Sequence, residues 1–193
     1  MYGGTRGSFS ALSGSSPTGG LFREVMAMHA QRTLERPRAL VVDSNSDIHD
    51  LLRELLTNHG WQVSAVAGAK QLRERFASPA PDVLLMGCSF SDGRWSDMLH
   101  DAREHWPETP AILFSGNPEC EELIEEGREL GIFAFLSKPC PVGQLLVCVD
   151  RAREHKRCVQ ELKRLEQTND DLVRELETAH QVKPPPGTIR ASA

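Results

Sequence analysis

A chain of 193 residues, 39% apolar and 25% charged, can bury one core of ordinary domain size with appendages around it, and little more. Its formal charge of -5 and pI of about 5.8 argue against a surface built to neutralise many phosphates, so nucleic acid is not an expected partner. No apolar run approaches the roughly 20 residues that cross a bilayer, and the N-terminus lacks a charged-then-apolar leader pattern, so a cytoplasmic protein without membrane contact is expected.

The five cysteines, Cys88, Cys120, Cys140, Cys148 and Cys158, form no C-x-x-C pair and read as reduced, small apolar residues. Residues 1–37 open with Gly, Ser and Thr, too poor in large apolar groups to offset the entropy of ordering, and a disordered tail is expected there. Within it, Leu21, Phe22, Val25, Met26 and His29 could form one side of a short helix, and Met26 or Met28 is an alternative start of translation.

From Arg38 onward, five short apolar runs alternate with amphipathic stretches. The runs are Ala39 to Val42, Gln62 to Val66, Asp82 to Met86, Ala111 to Ser115 and Ile132 to Leu136, each of buried-strand length between turn-forming residues. After the first, Ile48, Leu51, Leu52, Leu55 and Leu56 make a core-facing helical stripe closed by Asn58, His59 and Gly60. Weaker stripes follow: Leu72 with Phe76, Leu99 with Ala102 and Trp106, and Leu123 with Gly127 and Leu130, the last stopped by Gly131. Strands alternating with helices require right-handed crossovers and a parallel sheet covered on both faces, which predicts a doubly wound α/β domain over 38–149.

In such folds the chemistry collects at the carboxyl ends of the strands. Those ends carry Asp43, Ser44 and Asn45 after the first run, Gly87, Cys88 and Ser89 after the third, Ser115 and Gly116 after the fourth, and Ser137, Lys138 and Pro139 after the fifth. An acid, a hydroxyl and a lysine on one edge suit an anion or a metal.

RALVVDSNSDIHDLLRELLTNHGWQV, PDVLLMGCSFSDG, AILFSG and FAFLSKP, in that order, resemble the successive strands and loops of response-regulator receiver domains, and Lys138-Pro139 is the most specific mark. The resemblance covers 38 to about 150 and implies a flavodoxin-like, five-stranded parallel sheet of order 2-1-3-4-5. It implies that Asp43 stands where an acid binds magnesium, Ser115 at the switch hydroxyl, Lys138 at the phosphoryl-binding lysine and Phe135 at the switch aromatic. Two positions depart from the pattern. Ser44 stands where a second acid is usual, and Gly87 stands where the phosphoryl-accepting aspartate belongs.

A glycine offers no nucleophile, and magnesium loses a ligand, so a degenerate receiver without catalysis is expected. No metal or cofactor is expected, Asp43 being only a weak candidate for magnesium, and Asp43 is expected to pair with Lys138 instead. Asp92 is a weak substitute acceptor on the following loop.

From Val142 the last helix runs without a break to about His180, some 45 Å past Asp150 at 1.5 Å per residue. Leu162, Leu165, Asn169, Leu172 and Leu176 fall at a and d of a heptad, with Cys158 and Ala179 at its ends, which predicts a coiled coil over 150–180. A parallel homodimer is the first expectation, a partner's helix the second and a solvated single helix the third; Glu161 would face Glu166 across a parallel pair, and Val159 and Val173 widen the stripe. Residues 181–193 are Pro-rich and expected to be disordered, with no output domain after them.

Enzymatic readings have little support: H-E-x-x-H, G-x-S-x-G and a Walker loop are all missing. Two accounts remain, a pseudo-receiver adaptor that acts through protein partners, and a regulator still switched by a ligand or an unconventional acceptor.

Overall fold

The computed structural model describes residues 36–116 and 121–181. Of the expected tails over 1–37 and 181–193, residues 1–35 and 182–193 lie outside the described residues, as do the short helix over 21–34 and Cys120, while Gln181 still belongs to the last helix. The chain runs β1 (Arg38–Val42), α1 (Ser46–Asn58), β2 (Gln62–Val66), α2 (Ala69–Arg75), β3 (Val83–Met86), α3 (Trp95–His105), β4 (Ala111–Ser115), α4 (Glu121–Glu129), β5 (Ala134–Ser137) and α5 (Val142–Gln181). The strands form one parallel sheet of order β2-β1-β3-β4-β5, as the sequence predicts.

The apolar runs become strands because the sheet is covered on both faces. One core lies under α2 and α3 and holds Leu40, Val42, Met86, Met98 and Leu113; the other lies under α1 and α5 and holds Val41, Leu85, Ile112, Leu145 and Val149. Alternate residues of each strand serve alternate cores, so the runs read as continuously apolar. β3 is buried at all four positions.

Three local expectations need correction. Leu51 is half exposed, whereas Leu52 and Leu56 are buried and Ile48 and Leu55 pack against the core. The five-residue stripe was wider than the strip of α1 that meets the sheet. Trp61, which the helical pattern passed over, is buried directly after Gly60. The fifth strand begins at Ala134 rather than Ile132 and ends at Ser137, because Phe133 N–H donates to Ala111 before the ladder proper starts. Gly60 and Gly131, at φ 84° and 66°, take the left-handed conformation that ends α1 and α4.

The last helix has 40 residues and spans about 60 Å. Its extension past Asp150 begins docked to the domain. Ala152 is fully buried, and Lys156, only 5% exposed, donates from Nζ to the Pro81 carbonyl at 2.6 Å and lies 3.9 Å from Asp82. Gln160 and Lys163 then donate to Glu108 at 3.1 and 2.8 Å. At 100° per residue, these side chains lie roughly opposite Leu162, Leu165, Asn169, Leu172 and Leu176. Those leucines are 53% to 61% exposed in the single chain.

Hydrogen bonds from Lys163 and Gln160 hold the Glu108 carboxyl below its ordinary value of 4.5. A depressed carboxyl stabilises the fold above that pH and ceases to do so as pH falls through its lower folded value. In urea titrations, the wild type should exceed Glu108→Gln in stability at neutral pH, and the gap should close as pH falls below the ordinary carboxyl value and through the lowered folded one.

Candidate functional site

The strand ends bring Asp43 and Lys138 together from positions far apart in the chain. Asp43 follows β1, is 4% exposed, and sits under a backbone anchored by its own N–H to Val66 at 3.1 Å. Lys138 follows β5; its N–H donates to the Ser115 carbonyl at 2.7 Å, and its peptide bond to Pro139 is cis. The Lys138 ammonium forms a direct ion pair with Asp43 Oδ2 and lies 5.0 Å over the Phe114 ring. Asp43 Oδ1 accepts from Asn45 N–H at 3.0 Å, and Asn45 in turn caps α1 by accepting from Asp47 N–H at 2.8 Å. The buried carboxylate is thus matched by one cation and one backbone donor, as its desolvation requires.

Gly87 completes the floor of this pocket. Its N–H donates to the Val42 carbonyl at 2.8 Å, so β3 stays in register with β1 to its last residue. A Cβ at this position would stand 2.7 Å from Asp43 Oδ2, closer than van der Waals contact allows. The carboxylate that pairs with Lys138 therefore occupies space that any side chain at position 87 would need.

The other expected residues divide. Ser115 is buried and hydrogen-bonded to Cys88. Ser44 faces away, its hydroxyl donating to Ser89 O at 2.9 Å. Phe135 packs against the core under α3 and α4, its ring so close to Gly127 that a Cβ there would meet Cζ at 2.4 Å. Asp92 is outside the pocket. Its carboxylate accepts from Lys70 N–H at 3.2 Å at the start of α2, where Gly68 has no side chain to cap with, and the Lys70 and Ala69 amides hold its pKa below the usual carboxylate value.

Cys88 is a nucleophilic group that feels the charge of Lys138. Burial pushes its thiol pKa up, against the opposing pull of the Ser115 hydrogen bond and the Lys138 charge, with Asp43 adding to the rise. A thiol so held stays protonated and is a poor nucleophile. The Cys88–Ser115 contact and the Phe114 ring beneath Lys138 carry no signal in spacing; only the register of neighbouring strand ends reveals them.

The donor set does not fit a divalent cation. It offers one carboxylate, already paired with lysine, and hard cations of this class need several oxygens. Among the described residues no group of three His, Cys, Asp or Glu side chains could hold a metal. No helix among them is long and apolar enough to cross a membrane.

A doubly wound sheet with an acid after β1, a hydroxyl after β4 and a lysine-proline pair after β5 defines a class of signalling domain. The family model described as response regulator receiver domain matches residues 39–150, and the chain belongs to that family. It is similar to the DNA-binding transcriptional regulator NtrC of Proteus hauseri, 26% identical over 64% of this chain and 26% of that protein. It is also similar to the response regulator protein PilR of Pseudomonas aeruginosa, 28% identical over 58% of this chain and 25% of that one. The chain thus spans about a quarter of the length of these relatives. Among solved structures, the receiver domain of an HD domain-containing protein from Pseudomonas fluorescens superposes with a TM-score of 0.60 at 28% identity, covering 64% of this chain and 99% of that one.

Lys138→Met should lower stability by about 2–4 kcal/mol in chemical denaturation, because it strands a buried carboxylate. Adding Asp43→Asn to that variant should restore much of the loss. Gly87→Ala should cost about 1–3 kcal/mol by pushing against Asp43.

Proposed function

We propose that this chain is a non-catalytic pseudo-receiver of the two-component, phosphorelay type, a cytoplasmic adaptor that transmits signals by protein contact and pairs with a second copy through α5. The observation that carries the reading is the joint state of three positions: Gly87 supplies no nucleophile, and Asp43 and Lys138 satisfy each other's charge. In a working receiver, the acid after β1 binds magnesium and the lysine after β5 takes the phosphoryl oxygens. Here each is the other's partner. Neither nearby substitute suits phosphoryl transfer, since Cys88 is held protonated and Asp92 caps α2.

The exposed leucines support self-pairing. They stand on the face of α5 that points away from the domain, so the chain's own core does not cover them. Asn169 at a single a position favours a parallel, in-register pair. Glu161, expected to oppose Glu166, already accepts from Nε and Nη2 of Arg164 at 3.2 and 2.8 Å, which eases that repulsion. With about three heptads the association is modest, in keeping with a regulated rather than an obligate dimer.

Neither magnesium nor beryllofluoride should raise the melting temperature of the purified chain. A saturable rise with both together would return the protein to the class of switched regulators. For the pairing, a variant retaining Cys158 as its sole cysteine should cross-link rapidly on mild oxidation, because that exposed residue lies at d and meets itself in a parallel pair. Leu172→Asp should abolish the cross-link and leave a monomer in sedimentation. A wild-type chain that sediments as a monomer at tens of micromolar would end the dimer reading.

A further inference from the structure

At the opposite edge of the sheet from the Asp43–Lys138 pair, a crevice of about 130 Å³ opens between the first residues of β1 and β2 and the end of the short helix α2. In the parallel register, Arg38 stands beside Gln62, Leu40 beside Ser64 and Val42 beside Val66. These six side chains share one face of the sheet. Leu40, Val42 and Val66 belong to the core under α2 and α3. Arg38, Gln62 and Ser64 break that apolar face where it reaches the crevice, and Trp106 and Arg75 complete the walls.

Two guanidiniums and no acid line the crevice, in a chain whose net charge is -5. Asp82, next to the lining Pro81, accepts from the Arg38 amide at 2.7 Å, but its carboxylate is not part of the lining. Arg38 donates to the Ala80 carbonyl at 3.0 Å, which fixes its fork in place. Arg75 is half-buried and has no acidic partner among the described residues. A cation in the last turn of a helix complements the helix dipole, but that role needs no cavity, no polar side chains on the inner sheet face and no indole wall. A partly desolvated guanidinium beside hydroxyl and amide donors is what an oxyanion requires. The volume is on the order of the 150 Å³ that accommodates a benzene ring.

We propose that this crevice is a binding site for a small organic oxyanion, a carboxylate or phosphate monoester carried on a ring-sized apolar group. The anion takes the Arg75 fork, with Arg38 and the Ser64 hydroxyl beside it, and the apolar part lies against Leu40 and Trp106. Pro81 also lines the crevice, and its carbonyl is the one that accepts from Lys156 of α5. A ligand seated here therefore touches the loop that anchors the long helix, and gives the chain a small-molecule input that does not use the receiver pocket. The proposal stands independently of whether two chains pair.

Nuclear magnetic resonance of the full chain, labelled with nitrogen-15, tests it through the tryptophan indole signals. Benzoate or phenyl phosphate should shift the Trp106 indole in a saturable, salt-sensitive way with a Kd in the low millimolar range, while Trp61, buried in the other core, stays still. Arg75→Gln should weaken the binding about tenfold, and Ser78→Glu, which places a carboxylate at the crevice, should do the same. The proposal is overturned if neither compound gives a saturable shift, if Arg75→Gln and Ser78→Glu both bind as the wild type does, or if benzylamine binds equally well. Binding of inorganic phosphate with no response to the two aromatic probes would overturn the organic ligand and leave a plain anion site.

Discussion

A buried carboxylate and a lysine, brought from opposite ends of the sheet sequence, hold the carboxyl edge of this domain together. Asp43 and Lys138 can meet because the residue that follows β3, the strand between β1 and β4, has no side chain. The same carboxylate accepts the Asn45 amide that leads into α1, and the backbone of Lys138 bonds to the end of β4. Removing either charge leaves the other desolvated, which is the costly way to break such a pair. The ion pair at the strand ends is therefore a structural contact as well as a feature of the candidate site.

The opposite edge follows the same physics with different groups. Lys156 brings a charge into the domain and satisfies it with a carbonyl and the Asp82 carboxylate, whose other oxygen accepts from the Arg38 amide at 2.7 Å. Glu108 continues the polar contacts for two more turns. Helix α5 thus has one face committed to the domain as far as Lys163, and an apolar face left outside. From Arg164 onward, past the last contact with Glu108, the helix continues for about 27 Å, shorter than an overhang counted from Asp150.

The architecture was legible because its cause is local and repetitive: five short apolar runs between amphipathic segments admit few folds, right-handed crossovers prune them further, and the order 2-1-3-4-5 came from the resemblance to receivers. Gly87 was legible by counting from either side of β3. The Asp43–Lys138 pair could be anticipated because removing a third charge leaves one acid and one base. Other features depend on which loops meet in space. The Lys156 anchor joins residues 75 apart in sequence, and an amphipathic pattern reads such a lysine as solvent-facing. Asp92 looked like a spare acid on a loop until its carboxylate proved to cap a helix that begins with Gly68. Leu51 shows the converse error, since a leucine on the edge of a stripe is buried only if a neighbouring element reaches it.

The account rests on the claim that the pocket cannot accept a phosphoryl group. Incubation of the full chain with acetyl phosphate and magnesium, followed by intact-mass and peptide analysis, tests this most directly. The account predicts an unchanged mass. A phosphoryl adduct on Cys88, Asp92 or any other residue at the carboxyl edge of the sheet would contradict it.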